Sequence, residues 1–167
     1  VMQRCFVALG SNQGDPMAQV TRAFDELQAL PQSSLAGRSS LYRSAPLGPQ
    51  DQPAFINAVA MLDTQLEPEA LLDALQAIEQ RAGRVRNAER WGPRVLDLDL
   101  LLYADRRVDT PRLQVPHYHM HARSFVLYPL AELAADLILP DGTPLQQLLL
   151  GCPPTGLERL SDAAGRD

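Results

Sequence analysis

Apolar residues recur along the chain with two periods, and the order in which the period changes predicts the architecture. "RCFVALG" (Arg4–Gly10) reads as a strand, and "SNQGDP" follows as a loop in which Asp15 caps and Pro16 opens a helix. Val20, Phe24, Leu27 and Leu30 then recur at helical spacing until Pro31. Leu35–Ala45 predicts a second, less regular strand. Pro46–Pro53, with three prolines and a glycine, predicts a loop. Ala54–Leu62 predicts a third strand with Phe55, Asn57, Val59 and Met61 on one face and Ile56, Ala58, Ala60 and Leu62 on the other. Pro68 opens a helix with the stripe Leu71, Leu72, Leu75 and Ile78, and Gly83 ends it. A loop, Arg84–Arg94, leads into a fourth strand, Val95–Tyr103. Turn-rich residues run to Pro116. A helical segment over 121–137 follows, interrupted at Pro129, and then a short strand, a turn and a short helix. Residues beyond Gly151 are expected to be loosely held.

The order β-α-β-β-α-β is the split βαβ, ferredoxin-like arrangement of an α+β protein, here with C-terminal additions. It predicts a mostly antiparallel sheet with both helices on one face, leaving the other face for a site. No repeat or linker divides the chain, and 167 residues suit one domain spanning 1–167.

Composition narrows the function. Apolar residues make up 46% and charged residues 21%, which fits a folded, water-soluble protein. The net charge of -5 argues against general binding to nucleic acid or a membrane surface. No apolar run reaches membrane-spanning length, and no secretory n-region and h-region open the chain. Cys5 and Cys152 have no paired spacing, so reduced thiols in a cytoplasmic protein are expected. All fifteen basic residues are arginine, so every cationic side chain apart from histidine is a planar fork of fixed charge.

Against that background "RWGPRVLDLDLLLYAD" (Arg90–Asp105) stands out. In a strand, residues two apart share a face and lie roughly 6.6 Å apart. Asp97 and Asp99 therefore point one way, while Leu96, Leu98, Leu100 and Leu102 are expected to meet the helices. Paired carboxylates on a partly buried face need a cation, and magnesium suits them because it takes one or two carboxylates and fills its remaining positions with water and phosphate oxygens. On the triplet alone, two solvated acids or two ion pairs to nearby arginines explain the pattern equally well.

The upstream loop changes that balance. Arg81, Arg84, Arg86, Arg90 and Arg94 face a single acid, Glu89, in a net acidic chain. Arginine matches phosphate with two parallel hydrogen bonds. Trp91, the only tryptophan, sits in this loop beside Gly92 and offers a stacking face for a flat ring. Metal-binding acids beside phosphate-binding arginines point to a nucleoside triphosphate. Yet there is no G-x-x-x-x-G-K-[ST] loop or dinucleotide fingerprint, and "ALGSNQGDP" is weak evidence for a phosphate cradle. His117, His119 and His121 form an H-x-H-x-H run, which suits a zinc or iron site or, more plainly, a polar loop with one useful imidazole at His117.

"ALGSN", "YRSAPLGPQDQPAFINAV", "GRVRNAERWGPRVLDLDLLLY" and "VPHYHMHARSFVLYPLAELAADLILPDG" together resemble the 6-hydroxymethyl-7,8-dihydropterin pyrophosphokinase family of folate biosynthesis, from about Phe6 to Leu150. The resemblance implies transfer of the β,γ-diphosphate of ATP to the pterin hydroxymethyl oxygen, with AMP released. It implies two magnesium ions on Asp97 and Asp99, with Arg84 and Arg94 as further catalytic residues. Gln76, Glu79, Arg84, Arg86, Trp91, Arg94, Leu100, Arg112, His117, Tyr118 and Arg123 are expected at ATP. Ser44, Ala45, Pro46, Leu47, Phe55, Asn57, Trp91, Asp97 and Phe125 are expected at the pterin. If a carboxylate takes the hydroxyl proton, Asp99 is the candidate. The two proline- and arginine-rich loops are expected to close over the substrates, and a monomer is expected. Three positions depart from relatives: Asn87 replaces a frequent lysine, Ala45 a proline in some, and Phe55 a frequent tyrosine. His119 and His121 take no role from the resemblance.

Overall fold

The computed structural model describes residues 1–45, 52–83 and 95–160. Pro46, Leu47, Arg84, Arg86, Asn87, Arg90, Trp91 and Arg94, and with them the expected loop closure, lie outside the described residues.

The chain begins β1 (Gln3–Ser11), α1 (Pro16–Gln28), β2 (Ser33–Arg38), β3 (Tyr42–Ser44), β4 (Phe55–Thr64), α2 (Pro68–Arg81) and β5 (Asp97–Tyr103). The helix ends obey their local chemistry. The Asp15 carboxylate accepts from the Ala18 N–H at 3.2 Å, prolines open both helices, and Gly83 leaves α2 at φ +95°. The second strand of the motif is split because Ser39 interrupts the ladder. Its hydroxyl accepts the Val59 N–H at 2.9 Å and donates to the Ser40 carbonyl at 2.8 Å.

The strands are joined antiparallel in the order β5-β1-β4-β3, with β2 also on β4. Against one face pack Val20, Phe24 and Leu27 of α1 and Leu71, Leu75 and Ile78 of α2. They meet Val7, Leu9, Ile56, Ala58, Leu62, Leu98 and Leu100 of the sheet. This is the expected ferredoxin-like α+β core.

Four details depart from the sequence reading. Leu102 does not join Leu96, Leu98 and Leu100 beneath the helices. The pairing of β5 with β1 slips between Phe6 and Val7, leaving Leu101 as an extra residue, so Leu101 and Leu102 both enter the opposite core while Tyr103 returns to the helix side. The second face is also not left open. After a small hairpin of β6 (Val108–Asp109) and β7 (Gln114–Val115), α3 (Ser124–Leu133) and α4 (Leu145–Leu150) cover part of it, packing Val126, Leu127, Leu130 and Leu145 on Phe6, Val59, Leu101 and Leu102.

Pro129 does not interrupt the third helix. It sits buried inside α3, which starts at Ser124 after a 3-10 turn over Met120–Ala122. The residues beyond Gly151 are not all loose, since β8 (Leu157–Arg159) pairs with β3 and extends the sheet. Backbone hydrogen bonds hold it, and these leave no apolar pattern to read. Cys5 and Cys152 are buried and unpaired with each other, and burial pushes the Cys5 thiol up to about 12.

Candidate functional site

Among the described residues, the part of the second face that α3 and α4 leave uncovered lies at the start of β5. Leu98 and Leu100 turn into the helix-side core, so Asp97 and Asp99 project together onto the opposite face, Asp97 half-buried and Asp99 exposed. In the ladder Asp97 stands opposite Gly10, Gly10 opposite Asn57, and Asn57 opposite Tyr42. Glycine here is a matter of space. A Cβ on Gly10 would meet the Asn57 Oδ1 at 3.4 Å, so the missing side chain keeps the floor between carboxylates and amide low.

Asn57 is buried, 5% exposed, and its amide donates to the Ser44 hydroxyl at 2.7 Å. Phe55, half-buried, shares its face of β4 and pairs with Ser44, while Ala45 is exposed next to it. The sequence-predicted pterin residues Ser44, Asn57, Phe55 and Asp97 are thus brought onto one face. Phe125 lies in the first turn of α3, partly buried against the second core, with the Arg123 guanidinium 5.6 Å from its ring centre.

Several residues expected at the nucleotide are placed less simply. His117 follows β7, and its N–H donates to the Leu101 carbonyl at 3.0 Å, fastening the loop to the β5 edge. Its Nδ1 accepts from the His119 N–H at 3.3 Å, which leaves Nε2 to carry the proton. Burial, and then the Arg123 charge, hold the His117 pKa below 6.5, so at neutral pH the ring is an uncharged donor. Tyr118 stacks on it at 5.1 Å and is exposed. His119 therefore helps set the His117 tautomer, a part that side-chain spacing alone did not reveal.

Arg112 lies across α2, bonding Asp73 at 2.5 Å and Glu69 at 3.3 Å, on the helix that also carries half-buried Gln76. Leu100 is 2% exposed, its side chain packed in the helix-side core as the alternation of the strand predicts. Glu79, also expected at the nucleotide, is buried on α2. It is 4% exposed, and its Oε2 accepts from the Leu98 N–H at 2.8 Å.

"ALGSN" builds a clamp instead of a phosphate cradle. Asn12 is fully buried and donates to Gln52 Oε1 at 3.0 Å and to the Pro53 carbonyl at 3.1 Å, fixing the entry to β4. Sequence reasoning missed Asn12 and Gly10, although a glycine within a strand was a signal for close approach. Among the described residues no three acids, histidines or cysteines gather around one point, so neither the H-x-H-x-H run nor any other group forms a closed metal cage. Two carboxylates beside an open floor do fit magnesium, which relies on substrate oxygens for the rest of its shell.

Known proteins resemble this chain in sequence and in fold. A model of the family described as 7,8-dihydro-6-hydroxymethylpterin-pyrophosphokinase matches residues 6–135. A Pseudomonas aeruginosa protein named 2-amino-4-hydroxy-6-hydroxymethyldihydropteridine pyrophosphokinase is 59% identical over 163 residues, 98% of this chain and 100% of that protein. A Haemophilus influenzae protein of the same name is 48% identical over 148 residues, 89% of this chain and 92% of that one. Among solved structures, a Plasmodium falciparum HPPK-DHPS superposes with a TM-score of 0.73 at 12% identity, over 90% of this chain and 45% of the longer one. The wild-type form of that protein with pteroate gives 0.71 at 12% identity, over 90% of this chain and 42% of that one. These two likenesses concern the fold, and this chain spans less than half of either.

Proposed function

Because the chain belongs to the 7,8-dihydro-6-hydroxymethylpterin-pyrophosphokinase family, we propose that it transfers the β,γ-diphosphate of ATP to the hydroxymethyl group of 6-hydroxymethyl-7,8-dihydropterin. The observation that carries the reading is the row Asp97–Gly10–Asn57, with Asp99 two residues along the same face as Asp97. It sets two carboxylates beside a buried amide across a floor with no side chain. A flat heterocycle with donors and acceptors on its rim needs such an amide and an aromatic neighbour, and Asn57 with Phe55 supplies both.

In the reaction, the hydroxymethyl oxygen forms a bond to the β-phosphorus. The bond between that phosphorus and the oxygen bridging to the α-phosphate breaks, and AMP leaves with the electron pair. The hydroxyl proton passes to water or to Asp99. Magnesium, as two ions, when bound neutralises triphosphate charge and favours attack at phosphorus. The chain's own residues orient and hold: Asp97 and Asp99 as the metal carboxylates, Asn57 and Ser44 at the pterin rim. Neutral His117 donates from Nε2 to a phosphate oxygen, and Arg123 beside it adds fixed charge. Arg84, Arg86, Trp91 and Arg94 complete the proposed nucleotide side, with Gln76, Tyr118 and Arg112 along its margin.

We further propose a single-domain monomer working in the cytoplasm. Among the described residues no helix is long and apolar enough to cross a membrane. The decisive experiment mixes the protein with ATP, magnesium and the hydroxymethyl dihydropterin. AMP and a diphosphorylated pterin in equal amounts are expected. Inorganic phosphate without a modified pterin would replace this reading with a magnesium-dependent phosphohydrolase.

A further inference from the structure

Among the described residues β5 ends the ladder on its side of the sheet, and the strand paired with its start is β1. In an antiparallel edge strand, alternate residues turn their N–H groups outward, away from the ladder. Leu98 is such a residue, and it lies between the two carboxylates. Its N–H is met by a side chain: Glu79, reaching from the last turns of α2, accepts it through Oε2 at 2.8 Å. A carboxylate is a costly group to bury, and Glu79 is only 4% exposed. A glutamate on a helix whose other inward residues are Leu71, Leu75 and Ile78 marks a demand that an apolar residue does not meet.

We propose that Glu79 is a positioning residue: by holding the Leu98 amide it locks the pleat between Asp97 and Asp99, so that both carboxylates stay parallel for a divalent cation. Asp97 is the first residue of the strand, and strand ends fray most readily. If the Leu98 amide is released, the peptide planes on either side of it rotate, and the two Cβ directions lose their common face. Glu79 thus acts on the two aspartates through the backbone. This inference rests on the pyrophosphokinase reading for the role of the aspartates, but its structural half does not.

The test compares Glu79→Ala, Glu79→Asp and Glu79→Gln. Aspartate is one methylene too short to reach the amide, whereas glutamine keeps an acceptor oxygen without the charge. Two quantities are read: exchange of the Leu98 backbone amide in the ligand-free protein, and Mn2+ affinity by electron paramagnetic resonance with α,β-methylene-ATP present. Faster Leu98 exchange and about tenfold or more weaker Mn2+ binding are expected for Ala and Asp, with Gln within about threefold of wild type on both. The KM for the pterin should stay near the wild-type value in all three.

Glutamine behaving like alanine would overturn the proposal, because charge and not the hydrogen bond would then matter. Unchanged Leu98 exchange in Glu79→Asp would overturn it equally. Should Glu79→Ala fail to fold, the contrast between Asp and Gln decides alone. A wild-type protein that releases no AMP would sink the functional reading, and the amide exchange would still judge the contact.

Discussion

From Asp97 to Leu100 the fifth strand buries one face only; from Leu101 to Tyr103 it buries both. The boundary is the slip in pairing with β1 at Phe6 and Val7. On the first side, Leu98 and Leu100 anchor the strand to the helices and leave the opposite face to two acids. On the second, Leu101 and Leu102 enter the core under α3 while Tyr103 is buried on the helix side and donates its hydroxyl to the Leu66 carbonyl at 2.5 Å. One strand therefore carries chemistry and stability in separate segments, and each can be damaged without the other.

The largest effect that sharpens this contrast belongs to the first segment. Asp97→Ala or Asp99→Ala should lower kcat roughly 10³-fold. Thermal or denaturant unfolding should show a stability change of under about 1 kcal/mol. Next comes the second segment. Leu102→Ala should cost about 2–5 kcal/mol of stability, read by urea titration, with kcat per folded molecule near the wild-type value. A Leu102→Ala protein that is stable but inactive would erase the distinction.

Asn57→Ala, on the neighbouring strand, should raise the pterin KM by about tenfold or more, since it removes a buried donor and strands the Ser44 hydroxyl, while the ATP KM holds. A smaller effect concerns His117. Its folded pKa is depressed below 6.5, so the neutral ring is favoured in the fold. The associated stability is fully present above 6.5, and it is lost as pH falls through the folded pKa. The acid limb of kcat/KM should accordingly have its midpoint below 6.5 and flatten in His117→Gln. The smallest change is expected at the far end of the sheet, where Arg4 bonds Asp63 through two contacts of 2.9 Å across β1 and β4. That hydrogen bond holds the Asp63 carboxyl below its usual range, so the pair stabilises above pH 3.8 and fades as pH falls through the lower folded value. Asp63→Asn should cost under about 1 kcal/mol at neutral pH, measured by urea titration, because the pair is largely exposed.

Much of this was legible where polar and apolar residues alternate. Asp97 and Asp99 between leucines set the phase of β5, and Asn57 announced itself as an amide inside an apolar strand. The phase was lost at Leu101 because leucine occupies 100, 101 and 102, and a slip in a uniform run leaves no polar marker. The cover provided by α3 was invisible for another reason. An apolar helix declares that it will be buried, not against which face. The contacts of Glu79 and Asn12 were not legible, because only tertiary structure shows which backbone groups a buried polar side chain satisfies.

The pairing of Leu157–Arg159 with β3 has a consequence for handling the protein. Those three residues shield a row of main-chain groups that would otherwise offer a template for another molecule's strand. They are secured by Arg159, whose Nε donates to the Ser40 hydroxyl at 3.0 Å, beside the Glu132 carboxylate that receives the Ser40 N–H at 2.9 Å. Trimming the chain before Leu157 would bare that row next to Ser44, and intermolecular association, more than loss of turnover, is the defect such a shortened protein should display first.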